Sequence, residues 1–172
     1  PNDWEDGYDN VIVGCTVENQ EMTDKRLPIF LTLPIKHKRI IVAPMITAID
    51  LFSYLNETIE EVLNLCDNKN IKGLSILGGE PMHPKNMQGT TKLAKAFKMK
   101  YPEKDIWMWS GFLFDKDLKT KEAMKYIDVL VDGQYKDELH NPMLKWKGSS
   151  NQRVIDVQKS LRQNRVVLLE NT

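Results

Sequence analysis

The fold of this chain is constrained above all by an alternation that repeats along its length. Short apolar or β-branched runs at residues 11–17, 39–45, 73–77, 106–109 and 127–131 alternate with stretches that read as helix. Runs this short and this continuously apolar suit strands buried on both faces, as in a parallel sheet covered by crossover helices. The helical stretches carry matching signals. Ile59, Val62, Leu63 and Cys66 recur at i, i+3, i+4 and i+7 behind Asn56, a helix-capping residue type. Leu93, Ala94, Phe97 and Tyr101 form a second stripe, which Tyr101-Pro102 ends. Residues 22–33 are helix-like in composition, and Pro28 should kink them or open a second short helix. Ala123 and Met124 fall in a further helix. Ser149 and Gln152 have capping-box spacing and predict a helix from about Ser150 that buries Val154, Val157 and Leu161. Asn164 would end it, and residues 166–169 would form a last strand.

Strands alternating with helices imply right-handed crossovers, and ligands in such folds gather at the carboxyl ends of the strands. Glu18, Glu80, Ser110 and Asp132 all stand at those predicted ends. The third strand ends most abruptly, in Gly78-Gly79-Glu80-Pro81-Met82-His83-Pro84. Two glycines let the backbone turn and approach another molecule with no Cβ in the way, while Glu80 supplies an acceptor for an amino group. The plain alternative is a turn between strand and helix. Ser110-Gly111 and Asp132-Gly133 also have a reading as ordinary turns. Trp107 and Trp109 share one face of their strand and are assigned to core packing, and His83 to a loop.

Composition narrows the partners. Twenty-four Lys and Arg balance twenty-four Asp and Glu, so no net charge steers the chain toward nucleic acid or an anionic membrane. No apolar run approaches the roughly 20 residues of a membrane helix, and no signal peptide opens the chain, so a cytoplasmic protein is expected. Cys15 and Cys66 are too few for a disulfide framework and too far apart for a local metal motif. Cys66 lies on a buried helical stripe.

Four blocks from about residue 55 to 172 resemble the activating proteins of anaerobic ribonucleoside-triphosphate reductase. They are Leu77-Gly78-Gly79-Glu80-Pro81-Met82-His83-Pro84, residues 105–111 (Asp105-Ile106-Trp107-Met108-Trp109-Ser110-Gly111), residues 128–133 ending in Val131-Asp132-Gly133, and residues 146–161 around Asn151-Gln152-Arg153-Val154. Members of that family are radical S-adenosylmethionine oxidoreductases that install a glycyl radical on the reductase. The resemblance implies a partial parallel (βα) barrel of five to six strands, radical SAM-like. It implies S-adenosylmethionine as cofactor, its methionine amino group meeting Gly78, Gly79, Glu80 and Pro81, and Ser110 and Asp132 contacting its ribose or methionine part. It also implies the reductase as partner, along a groove bordered by residues 146–153, where Arg153 would reach a partner oxygen.

The first third departs from that family, whose 4Fe-4S cluster needs three thiolates spaced CxxxCxxC after the first strand. This chain has no such triad, so no metal ligand or catalytic residue is assigned. Residues 10–51 resemble instead a phage-associated radical SAM-like family of unknown function, through residues 10–20, Arg26-Leu27-Pro28 and Pro44-Met45-Ile46-Thr47-Ala48-Ile49-Asp50-Leu51. Residues 1–54 and 55–172 then read as two segments completing one barrel domain. Two other readings stand beside the activase: an inactive module that binds S-adenosylmethionine or the reductase, and a phage radical SAM-like protein.

Overall fold

A computed structural model describes residues 8, 11–17, 20–42 and 59–170. Six strands form one sheet in the order of the sequence: β1 (Ile12–Val17), β2 (His37–Val42), β3 (Ile71–Ile76), β4 (Asp105–Ser110), β5 (Val129–Asp132) and β6 (Arg153–Asp156). β1 to β5 run parallel, and β6 runs antiparallel along β5. The helices are α1 (Gln20–Thr32), α2 (residues 59–65), α3 (Met87–Lys100) and α4 (Val157–Gln163). The fold is therefore α/β with a mostly parallel sheet. β1 and β6 lie at its two edges and do not pair with each other, so among the described residues the sheet is open. No described helix is long and apolar enough to cross a membrane.

Alternation along each strand divides the side chains between two faces. On one face Ile40, Leu74, Ile76, Ile106, Met108, Leu130 and Ile155 form a core with Leu27 and Phe30 of α1, with Val62 and Cys66, and with Ala94 and Phe97 of α3. Phe97 is fully buried, and truncating such a ring to Ala typically costs about 3–5 kcal/mol. On the other face Trp107, Val129, Val131 and Val154 form a smaller cluster, with Trp109 and Leu169 packed against it. Trp107 and Trp109 stack at 5.8 Å between ring centroids, in keeping with their assignment to packing, and Trp146 leans on Trp107 at 4.9 Å. Arg39 lies beside them, 8% exposed, bonded to Asp105 (2.7 Å) and Ser75 (3.0 Å) with its guanidinium 5.5 Å from the Trp107 ring centroid. β3 and β4 approach so closely here that a Cβ on Gly73 would overlap the Asp105 backbone oxygen and carboxylate. Only glycine fits there.

Several sequence expectations need correction. The helix predicted from Ser150 is the strand β6 followed by the short helix α4. Asp156, not Ser149, caps α4 by accepting from the Lys159 N–H at 2.9 Å, while Asn164 ends it in a left-handed conformation (φ 55°), as expected. β5 leaves an open edge on the far side from β4, and Val154 and Ile155 pair with it, burying one residue on each face of the sheet. The Ser149–Gln152 pair does close a cap-like contact. Gln152 Oε1 accepts from the Gly148 and Ser149 N–H groups, but the turn it fastens leads into a strand. Residues 166–169 are not a strand: a single bridge links Leu168 to Ile155. Between β4 and β5 the predicted helix is replaced by a π turn (Phe114–Leu118) and a 3-10 turn (Glu122–Lys125) that buries Ala123 and Met124. α1 runs through Pro28 as one helix. Glu18, residues 43–45 of the second predicted run, Asn56 and the second half of the phage-like block (residues 43–51) lie outside the described residues.

Candidate functional site

β3 ends at Ile76, and three successive residues then take left-handed backbone angles: Gly78 (φ 80°), Gly79 (φ 52°) and Glu80 (φ 52°). Glycine adopts these at little cost, whereas for Glu80 the conformation carries strain of order 1–3 kcal/mol. The contacts of the Glu80 side chain oppose that strain. One carboxylate oxygen accepts from the Ser110 hydroxyl (2.7 Å) and the Met82 N–H (3.0 Å), and the other from the Gly111 N–H (2.7 Å). The turn is fastened from the helix side as well. Asn86 at the start of α3 donates its amide to the carbonyls of Gly79 (3.0 Å) and Glu80 (3.1 Å), and Thr90 donates to the Pro81 carbonyl (2.9 Å). Pro81 and Met82 are buried beneath the turn, and Gly78 and Gly79 are exposed above it.

This arrangement has definite binding properties. A carboxylate offers about four lone-pair sites, and Glu80 uses three of them on neutral donors. Among the described residues no cation pairs with it, and no group accepts from the N–H of Gly78, Gly79 or Glu80. The strand end thus presents one acceptor site with a net negative charge beside three donors, at the exposed Gly78 and Gly79. An α-amino acid head group, ammonium and carboxylate together, carries the complementary set.

The structure brings Gly78, Gly79, Glu80, Pro81 and Ser110 together and sets Asp132 apart. Asp132 is fully buried. Its oxygens accept from Arg153 Nε (2.9 Å), Arg153 Nη2 (2.5 Å) and the Phe114 N–H (2.8 Å). The same Arg153 nitrogen reaches Asp115 at 2.6 Å. Its hydrogen bond to Asp132, and then that to Asp115, raise Arg153 above the usual arginine value, and the guanidinium holds the Asp115 carboxyl below its ordinary value. Arg153 therefore directs Nε and Nη2 inside the chain, where the sequence reading sent the residue to a partner. His83 belongs to the loop: its N–H bonds the Glu80 carbonyl and its own carbonyl starts α3. Sequence reasoning missed Gly111, whose contribution is a backbone N–H, and the bracing pair Asn86 and Thr90. Two small polar side chains just after a Gly-Gly turn, where a helix begins, were the available signal.

A 4Fe-4S cluster does not fit the described residues. No group of three or more His, Cys, Asp or Glu side chains among them could hold a metal ion. Cys66 is fully buried in the apolar core, and burial pushes its thiol up to about 12, against the weaker pull of Lys104 and Lys100. Such a thiol resists forming the thiolate a cluster needs.

A mostly parallel sheet with a Gly-Gly-Glu turn after its third strand makes this an α/β protein, and sequence comparison supplies the family. The chain belongs to the 4Fe-4S single cluster domain family, which matches residues 48–155. It is similar to proteins named anaerobic ribonucleoside-triphosphate reductase-activating protein. That of Enterobacteria phage T4 is 40% identical over 97 residues, which is 56% of this chain and 61% of that protein. The Vibrio cholerae protein is 40% identical over 102 residues (58% and 66%), and that of Escherichia coli K12 38% identical over 98 (55% and 64%). The chain thus spans less than two thirds of the length of these curated relatives. No solved structure matches it.

Proposed function

We propose that this chain is the S-adenosylmethionine-binding portion of a radical activase for anaerobic ribonucleoside-triphosphate reductase, with its sheet forming part of a (βα) barrel in a cytoplasmic protein. The observation that carries the reading is the Glu80 clasp. A strained acid held by Ser110 and Gly111 beside two left-handed glycines lies in a segment about 40% identical to the named activating proteins. S-adenosylmethionine, when bound, supplies an adenosyl group activated by its sulfonium. The residues of this chain bind and orient its methionine end. Glu80 accepts from the ammonium, and the N–H groups after Gly78 and Gly79 receive the carboxylate. Ser110 and Gly111 aim the carboxylate by donating to it. Asp132 contributes from beneath, by fixing the loop that follows β4. The iron-sulfur chemistry named by the family needs thiolates beyond those described here, and no step is assigned to it.

Calorimetric titration with S-adenosylmethionine tests the proposal. The parent should bind weakly, because the methionine group lacks the contacts a cluster iron would add. Gly79→Val places a branched Cβ on a left-handed residue at the ligand surface and should weaken binding by about tenfold or more. Equal heats from parent and variant, or none from the parent, would overturn the reading.

A further inference from the structure

We propose that Arg153 is a positioning residue for this site: by tying the segment after β4 to β5, it holds the Ser110 hydroxyl and the Gly111 N–H on the Glu80 carboxylate. The ligand assigned to the site rests on the function proposed above, whereas the clamp is a property of the chain alone.

Two of the three donors on Glu80 come from the end of β4 and the residue after it. Gly111 has no side chain with which to anchor itself, so the placement of its N–H depends on what holds the following residues. Two of those anchors are local, the Phe112 N–H on Ser110 Oγ at 3.1 Å and the Leu113 N–H on Asp117 at 2.8 Å, and the links that leave the segment run to β5, to the residue after it and to β6. The Gly133 N–H donates to the Phe112 carbonyl at 3.2 Å, and the Phe114 N–H donates to Asp132 at 2.8 Å. Asp115 is drawn to Arg153 at 2.6 Å. Arg153 joins the last two, since its fork grips the buried Asp132 through Nε and Nη2 while Nη2 also holds the half-exposed Asp115. A planar guanidinium fixes two carboxylates in one geometry, which a lysine ammonium on a flexible stem does not. Ser110 and Asp132 are cross-strand neighbours in the β4–β5 register, so the clamp lies one strand from the clasp. The path from Arg153 to Glu80 is then continuous: Arg153, Asp132, the Phe114 N–H, the short segment back to Gly111, and the acid.

A purely structural ion pair would lower global stability without a selective effect on Gly111. Amide hydrogen exchange read by NMR on the ligand-free 172-residue chain separates the two. In Arg153→Lys the Gly111 amide should exchange about tenfold faster while Ile106 and Met108 in β4 keep the parent's rates. Asp115→Ala, which removes only the outer arm, should speed Gly111 by about threefold. S-adenosylmethionine affinity, titrated on the same samples, should fall in the same order. Unchanged Gly111 exchange in both variants, or equal acceleration of every β4 amide in both, would overturn the proposal. Should the parent bind no S-adenosylmethionine, the ligand reading falls and Gly111 exchange still decides the clamp.

Discussion

Glu80, just after β3, and Asp132, at the end of β5, are acids at strand ends separated by β4 that accept the same number of hydrogen bonds, yet their charges are balanced in opposite ways. Asp132 is fully buried and is neutralised by Arg153, whose fork takes both its oxygens. Glu80 is half-buried, holds only neutral donors, and keeps its charge uncompensated among the described residues. A buried carboxylate must carry its cation with it, because desolvation would otherwise force it to protonate. A partly exposed one can stay ionised on oriented N–H and O–H dipoles and leave a lone pair for a cation that arrives from outside. Acidity at a strand end therefore does not separate the two residues; the identity of their donors does.

The largest effect that sharpens this contrast is expected at the buried acid. Asp132→Ala strands the Phe114 N–H and leaves the half-buried guanidinium with only the exposed Asp115, and denaturant unfolding should show a loss of about 3–5 kcal/mol. A loss below about 1 kcal/mol, within the range of a surface ion pair, would erase the distinction. Glu80→Gln should cost much less, about 1 kcal/mol, because an amide oxygen can still accept from the Ser110 hydroxyl and the Met82 N–H while the bond from the Gly111 N–H is lost. A cost as large as that of Asp132→Ala would make Glu80 a structural acid like its neighbour. The smallest effect concerns pH. Asp115 has its carboxyl lowered from 3.8 mainly by the hydrogen bond from Arg153. The folded chain thus binds that proton less readily than the unfolded one. Its contribution is complete above the ordinary value and disappears as pH falls through the lower folded value. Melting curves below about pH 4 should show a shallow acid limb that Asp115→Asn removes, and salt should flatten it because Asp115 faces solvent. An identical limb in the variant would place the acid sensitivity elsewhere.

What was legible in the sequence follows from where the deciding forces act. The parallel strands were readable because burial on both faces leaves an almost unbroken apolar run, as in residues 129–131 and 106–108. The Glu80 turn was readable because Gly78-Gly79 followed by an acid is a backbone requirement written in side chains. β6 was not, since Val154-Ile155 suits a helix or a strand locally, and the open edge of β5 made the choice. Asp132 looked like a ligand group because its partner Arg153 lies 21 residues away, and a pair at that distance has no local signature. Gly111 was invisible as a donor because every non-proline residue carries the same N–H.

The central claim, that Glu80 binds while Asp132 holds, is tested most directly by titrating S-adenosylmethionine into parent and Glu80→Gln chains at a temperature where both are folded. The account predicts for Glu80→Gln a melting temperature only a few degrees below the parent's, with affinity reduced by about tenfold or more through loss of the charge-assisted bond to the ammonium. Parent-like affinity in Glu80→Gln would contradict it.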